Sequence, residues 1–327
     1  MNTPLISVII PTFNRPDLLQ RAIRSVQQQS YPQVEIVVVN DAGSPVEALL
    51  HDWDAGRNQI LSIRSAKNLG RGGVRNLGLK LAHGQYIAYL DDDDYYYPEH
   101  LATLYQFLQQ QSAQVVYTDS LNAIQEMRSG QWYTLQTQLL YSSDFDADRM
   151  LVENYIPTLC ILHERSCLDT TGLFDESLRS HEDWDMWIRL THHFAPIHLA
   201  QVTSEFTTRT NFQSGQSTTD VNADFLETQG YIYAKYATWV ENRPDIRKKQ
   251  EEVAHNLQVA YDYQRSHLVV DFMNTIMGFA DKGEFARALE YYQNNPQCHN
   301  IKGYEPELER IQTMMQKVEQ LLARKGA

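Results

Sequence analysis

Along residues 5–117, short β-branched runs alternate with segments of helical periodicity. Leu5–Ile10, Ile36–Val39, Ile60–Ile63, Tyr86–Leu90 and Gln114–Tyr117 are near-continuous apolar runs. Such runs suit strands covered on both faces of a parallel sheet. Pro11 ends the first, and Asn40-Asp41-Ala42-Gly43 ends the second. Between them, Pro16 to Gln28 sets Leu18, Leu19, Ala22, Ile23 and Val26 on one stripe. Asn14 is the expected N-cap there, with Pro16 at an early helical position. Val74 to Ala82 predicts a short helix carrying Leu77, Leu79 and Leu81, closed by Gly84. Strand–helix alternation of this kind predicts a doubly wound α/β unit.

The pattern then changes. Asn122 to Leu140 is polar and irregular, with short runs able to pair antiparallel. Thr158–Leu162 reads as a further strand, Gly172-Leu173-Phe174-Asp175 as a turn, and the segment with Trp184, Trp187, Ile188 and Leu190 as a helix. After about residue 215 the strand signals end. Residues 222–240, 246–265, 268–280, 284–292 and 305–323 carry helical periodicity, broken by Pro244, Gly283 and Pro296. The expected organisation is an α/β domain over 1–215 and an all-helical region over 216–327. In that tail, Tyr231, Tyr233, Tyr236 and Trp239 are expected to pack on a neighbouring helix.

Charge narrows the class of ligand. With 28 Lys+Arg against 41 Asp+Glu, the formal net charge is −13, which argues against wrapping nucleic acid or lying on an anionic membrane. A polyanionic ligand would therefore need locally placed Arg, Lys or a metal ion. Cys160, Cys167 and Cys298 form no C-x-x-C pair, so neither a disulfide framework nor a zinc ribbon is indicated, and a reducing compartment is the simpler reading. No stretch approaches the ~20 apolar residues of a membrane span. Met1 to Leu5 lacks the basic and apolar regions of a signal peptide. The expected location is cytoplasmic, with peripheral membrane association left open.

Ligands of open α/β sheets collect at the carboxyl ends of the strands. There this chain puts Pro11-Thr12-Phe13-Asn14-Arg15, Asn40-Asp41-Ala42-Gly43-Ser44, Asn68-Leu69-Gly70-Arg71-Gly72-Gly73 and Asp91-Asp92-Asp93-Asp94. The aspartate run could simply cap the next helix. Directly after a buried strand, however, its carboxylates repel one another, and a hard divalent cation with oxygen ligands relieves that. No His/Cys set accompanies the run, so Mg²⁺ or Mn²⁺ fits better than zinc. Such ions take one or two carboxylates and leave other positions to water and substrate phosphates.

The glycine-rich segment matches neither G-x-G-x-x-G nor G-x-x-x-x-G-K-[ST]. It is either an ordinary loop and helix start or a phosphate cradle helped by Arg71 and Arg75. Asp41 could accept from a base N–H and Phe13 could stack on its ring. His181-Glu182-Asp183-Trp184-Asp185 lacks the second His of a zinc protease. It is either an acidic helix N-terminus with inward tryptophans or the source of a general base, Asp183.

Together these motifs resemble inverting glycosyltransferases of family 2. The matching text is Ser7-Val8-Ile9-Ile10-Pro11-Thr12-Phe13-Asn14-Arg15, Glu35-Ile36-Val37-Val38-Val39-Asn40-Asp41, Asn68-Leu69-Gly70 with Arg75-Asn76-Leu77-Gly78, Gly84 through Asp94, and Gly172-Leu173-Phe174-Asp175-Glu176 leading to Glu182-Asp183-Trp184. Each motif alone is weak, while five in order over residues 5–210 are highly specific. The resemblance implies the GT-A fold, a Rossmann-like nucleotide-sugar-binding domain with a mixed, mostly parallel sheet. It also implies a UDP-sugar donor and a saccharide, lipid-linked or protein acceptor.

By the same resemblance, Pro11, Thr12, Phe13, Arg15 and Asp41 fall in the nucleotide site, with Arg71 and Arg75 near the nucleotide-sugar. Asp91 and Asp93 mark the ends of the Asp-x-Asp motif, as ribose and Mn²⁺ or Mg²⁺ contacts, and Asp92 with Asp94 leaves the register open by one. Asp183 falls at the base, and Glu182 and Trp184 are acceptor-side candidates. Where many members carry Arg-x-His, this chain has Arg209-Thr210-Asn211, which puts metal retention in question. The tail has no counterpart in the motifs and could widen the acceptor site, oligomerise or bind a partner. Two other readings compete: an inactive relative serving as a binding or assembly module, and a sugar-phosphate nucleotidyltransferase. The latter lacks its Gly-, Arg- and Lys-bearing loop after the first strand.

Overall fold

A computed structural model describes residues 3–53, 59–128, 131–210, 223–295, 298 and 304–325. Its strands are β1 (Ile6–Thr12), β2 (Val34–Asn40), β3 (Gln59–Arg64), β4 (Tyr86–Tyr89), β5 (Tyr95–Tyr96), β6 (Val115–Arg128), β7 (Gln131–Leu139), β8 (Ile161–Glu164) and β9 (Ile197–Thr210). They form one sheet in the order β3-β2-β1-β4-β8-β6-β9-β5, with β7 on β6. β1 to β4 pair in parallel. β8 is antiparallel to both β4 and β6, so β6 runs with β4, and β9 runs parallel to β6. Six of the nine strands thus share one direction, and the sheet is mixed but mostly parallel. The β-branched runs fill its centre: Val8, Ile9, Ile10, Ile36, Val37, Val38 and Val39 are fully buried.

Helices α1 (Pro16–Gln27), α2 (Glu47–Trp53), α3 (Gly70–Leu81), α4 (His100–Gln111), α5 (Ala147–Met150), α6 (Cys167–Thr171) and α7 (Glu182–His193) connect the strands. Pro11 does not end the first strand, which continues to Thr12. Asn14 does not cap α1. Arg15 takes the cap position without a side-chain bond, while Asn14 turns left-handed (φ 56°) and its Oδ1 accepts from Ser44 N at 2.7 Å. The glycine-rich stretch is already helix, since α3 begins at Gly70 rather than Val74. Thr158–Cys160 is a 3-10 turn that leads into β8. The irregular stretch around 122–140 is the long β6–β7 hairpin, with a bulge between Ile124 and Gln125.

The described residues form two compact units that divide between 254 and 255, later than the expected 215/216. The reason lies in α8 (Ala223–Lys235), which belongs to the first unit. Tyr233 Oη donates to Val152 O at 2.7 Å and its ring meets Trp184 edge-on. Tyr236 Oη donates to Asp185 Oδ1 at 2.8 Å, and Lys235 bridges Asp175 and Asp185. Tyr231 and Trp239 stay partly exposed. Residues 246–280, expected as two helices, are one, α9 (Pro244–Asp281), because no Gly or Pro interrupts them before Gly278. α10 (Phe285–Gln293) and α11 (Glu305–Lys325) follow. The second unit has its own core of Val269, Phe272, Ile276, Ala288, Leu308, Ile311 and Met315. Among the described residues no helix is long and apolar enough to cross a membrane. All three cysteines are buried and unpaired.

Candidate active site

The strand ends of the first unit open on a cleft of about 610 Å³. β1 and the turn after it deliver Pro11, Thr12, Phe13 and Arg15, and the end of β2 delivers Asp41. The first turn of α3 adds Arg71, and the turn after β4 adds Asp91, Asp92, Asp93 and Asp94. Asp183 reaches the same cleft from the N-terminus of α7. Eleven of the residues singled out in the sequence therefore share one cavity, although they come from five separate segments.

Three do not reach it. Arg75 is 2% exposed, and its guanidinium is consumed by two carboxylates, Nη2 donating to Asp91 Oδ1 at 2.8 Å and Nη1 bonding Glu182. Glu182, expected on the acceptor side, is buried on that arginine. Burial pushes its carboxyl up, and Arg75 opposes. Trp184, expected there too, is 1% exposed, with its indole N–H donating to Met150 O at 2.7 Å. These three are framework. A positive charge and an acidic motif drew attention to them, but burial is not readable from spacing. Asn211 lies outside the described residues.

The cleft has walls that the motifs did not reveal. Val74, Tyr141, Phe206, Thr207, Thr208 and Phe225 line it as well. Phe206 to Thr208 lie on β9, a Thr/Ser-rich strand without an apolar run, and Phe225 opens α8. The one available signal was Arg209 next to Thr208, at the end of that strand. Arg209 Nη1 donates to Asp93 Oδ2 at 2.6 Å, and its guanidinium lies 5.1 Å over the Trp132 ring.

The four aspartates are not equivalent. Asp92 Oδ2 accepts from Thr12 Oγ1 at 2.8 Å, and Arg15 lies 3.3 Å from Oδ1. Burial, then the neighbouring Asp93, pushes the Asp92 carboxyl up to about 6. Asp94 is buried, accepts from Thr207 N at 3.1 Å, and is raised well above the usual range by burial and by Asp93 and Asp91. Asp91 is driven upward by its surroundings, yet Arg75 and then Arg71 outweigh this and hold it below the usual value. Asp93 meets Arg15 at 3.1 Å as well as Arg209. Asp41 braces the start of α3 with one lone pair of each oxygen, accepting from Leu69 N at 2.6 Å and Gly70 N at 3.1 Å, and still lines the cleft.

This donor set suits a hard divalent cation. It offers carboxylate oxygens without His or Cys, crowded enough to raise two of their own pKa values. Among the described residues no three His, Cys, Asp or Glu side chains form a ready cage. An ion held here would use one or two carboxylates and complete its shell with water and ligand oxygens, as Mg²⁺-type ions do.

Asp183 is oriented from three directions. Oδ2 accepts from Thr158 Oγ1 at 2.9 Å and from Asn154 Nδ2 at 3.1 Å, and Oδ1 accepts from Trp184 N at 2.8 Å. Beside it, His181 caps α7 in a left-handed conformation, bonds Thr228 Oγ1 at 2.8 Å, and meets the Phe225 ring at a tilt, centroids 4.0 Å apart. Burial lowers His181 to about 4, against the pull of Asp183, so the ring is neutral at physiological pH.

Comparison with known proteins follows the same outline. The family model described as Glycosyl transferase family 2 matches residues 7–168. YwdF of Bacillus subtilis, an uncharacterized glycosyltransferase, is 31% identical over 188 residues, covering 56% of this chain and 67% of its own. WcaA of Escherichia coli, named a putative colanic acid biosynthesis glycosyl transferase, is 32% identical over 196 residues, covering 58% of this chain and 67% of its own. The structure of S. aureus TarS 1–349 in complex with UDP-GlcNAc superposes with a TM-score of 0.55 at 20% identity, over 70% of this chain and 66% of that one. The mannosyltransferase PcManGT from Pyrobaculum calidifontis, in complex with GDP-Man and Mn²⁺, superposes with a TM-score of 0.53 at 14% identity, over 97% and 86%.

Proposed function

The chain belongs to glycosyltransferase family 2, and from that premise we propose that it transfers a sugar from a UDP-sugar to a hydroxyl acceptor with inversion, using Asp183 as general base. The observation that carries this reading is the sharing of one 610 Å³ cleft by Asp183, the aspartate turn and the Phe13/Asp41 edge. A carboxylate suited to accept a proton thus faces a region suited to hold a diphosphate.

Each residue then has a physical task. Phe13, 48% exposed at the rim, offers a face for the base to stack on, and Asp41 accepts from a base N–H. Thr12 and Asp92, already bonded to each other, meet the ribose. Arg71 and Arg15 supply positive charge toward the diphosphate in an otherwise acidic cleft. Asp93 and Asp91 would hold a divalent cation, Mn²⁺ or Mg²⁺, whose charge stabilises the departing diphosphate. PcManGT, which shares the fold, is solved with GDP-Man and Mn²⁺, which favours a divalent ion here without naming its ligands.

Asp183 takes the proton of the acceptor hydroxyl as its oxygen bonds the anomeric carbon. The bond from that carbon to the diphosphate oxygen breaks, and its electron pair leaves with UDP. One displacement inverts the centre, so no covalent sugar–enzyme intermediate is needed. The acceptor approaches past Phe206, Tyr141 and Phe225, the apolar walls of the cleft.

The test is turnover of UDP-GlcNAc, UDP-glucose, UDP-galactose and GDP-mannose to free nucleotide, with water as acceptor. A UDP-sugar should be consumed. Asp183→Asn should lose about 10²–10⁴-fold in rate and keep UDP affinity by calorimetry. Turnover of GDP-mannose alone would overturn the uridine assignment, and an Asp183→Asn enzyme as fast as wild type would overturn the base.

A further inference from the structure

Asp183 sits at the first turn of α7, but two of its three donors come from another segment, residues 152–160. That segment is itself anchored. Tyr155, 2% exposed, accepts from Asp146 N at 2.7 Å, and its ring lies under Arg149 at 4.2 Å. Ile156 and Leu159 are buried in the core, and Tyr233 of α8 closes on Val152 O. Asn154 and Thr158 are therefore held by a buried frame anchored through residues outside the first turn of α7 as well as through Trp184.

A carboxylate has about four lone-pair sites. Among the described residues, Thr158 and Asn154 occupy two on Oδ2, and Trp184 N occupies one on Oδ1. The remaining site is on Oδ1. The charged and titratable groups around it are His181 and Glu182 on its own turn, and Arg71 and Arg75 from α3. Segment 152–160 turns only neutral donors to it, and α8 turns the Phe225 ring that packs tilted on His181.

Resting on the assignment of Asp183 as base, we propose that Asn154 and Thr158 are positioning residues that lock its carboxylate so that Oδ1 receives the acceptor proton. Without them Trp184 N alone holds the carboxylate, which can then turn about its Cβ–Cγ bond, and the proton-accepting lone pair leaves the line of the hydroxyl. Misplacement on the scale of 1 Å can cost about 10²-fold in rate.

Two measurements decide this, one of which needs no turnover. Crystal structures of wild type and of Asn154→Leu/Thr158→Val should differ in the orientation of the Asp183 carboxylate, with the backbone of α7 unmoved. In turnover of the UDP-sugar that wild type consumes, Thr158→Val should lower kcat by about 10²-fold with UDP affinity unchanged. Thr158→Ser, which restores the hydroxyl, should recover most of the rate. Should the double variant prove insoluble, Asn154→Ala alone serves for the crystal comparison. A carboxylate that keeps its orientation overturns the inference. So does a Thr158→Val enzyme at wild-type rate beside an inert Asp183→Asn. If Asp183→Asn itself remains active, the base assignment fails instead, and the crystal comparison still decides whether the two donors orient the side chain.

Discussion

Arg75 Nη2 donates to Asp91 Oδ1 at 2.8 Å, from a guanidinium that also bonds Glu182, 107 positions further along the chain. One buried cation from the glycine-rich helix thereby fastens the aspartate turn to the helix that carries Asp183. Its charge is held above the ordinary arginine range because Asp91, Glu182 and Asp183 together outweigh its burial. The link explains why acids distant in sequence meet in one cleft.

Removing that cation should cost more than any single contact in the cleft. Arg75→Met leaves Glu182, 2% exposed, with an uncompensated charge. Breaking a buried pair in this way costs about 3–5 kcal/mol. The denaturant midpoint should fall accordingly. Arg75→Lys should fall between, since an ammonium cannot reproduce the forked geometry. A midpoint equal to wild type in Arg75→Met would remove the link from the account.

Much of this was legible in the sequence, and for a definite reason. Ile6–Thr12 and Val34–Asn40 are buried on both faces, so their apolar runs are unbroken and their ends can be found. Once those ends are known, topology alone brings Thr12, Asp41 and Asp91 together. β9 and the continuation of β6 beyond Tyr117 were hidden because they mix Thr, Ser, Asn and Gln with apolar residues, and their long pairing is set by partners far away. Phe225 was hidden for the same reason, since nothing local says that α8 folds back on His181. Arg75 misled because charge is visible in a sequence and burial is not.

Gly78 should tolerate no side chain. It lies in α3, where a Cβ would meet Ile9 Cγ2 at 2.6 Å and Val39 Cγ2 at 3.1 Å. Both neighbours are fully buried and cannot retreat. In an open helix, Gly→Ala gains about 0.5–1 kcal/mol, whereas overpacking a core costs about 1–3 kcal/mol. Gly78→Ala should therefore be less stable than wild type by thermal or urea unfolding. A gain in stability would mean that α3 sits further from the sheet than described.

Glu35 makes a pH-dependent contribution far from the cleft, at the opposite end of β2 from Asp41. Burial opposes its charge, but Ser7 Oγ, the His83 N–H and side chain, and Gly84 N hold its carboxyl below the usual value. A lowered native pKa means that the unfolded chain binds the proton first. The stabilisation is therefore complete above the unfolded value near ~4.3 and is lost as pH falls through the lower native one. Glu35→Gln should cost about 1–3 kcal/mol at pH 7, and the gap to wild type should shrink in acid below pH ~4. Urea unfolding at several pH values checks this, and a gap that widens in acid would reverse the sign.

Asp93 decides how cation and arginine share the cleft. Without added metal, its carboxylate is neutralised by Arg209 at 2.6 Å and Arg15 at 3.1 Å. A divalent ion bound there would release both guanidinium groups toward the diphosphate, so cation and UDP should each tighten the other. Couplings of this kind are on the order of 5- to 150-fold in affinity, and calorimetry of UDP binding with Mn²⁺ or with a chelator measures it. Asp93→Asn should abolish the difference. In chelator, however, the variant should bind UDP at least as well as wild type, because a negative charge facing the diphosphate has gone while Arg15 and Arg209 remain. That opposite pair of responses separates a cation site from a merely structural aspartate, whose loss would weaken binding in both media alike. A variant that still responds to Mn²⁺ as wild type does would move the ion to another of the four acids.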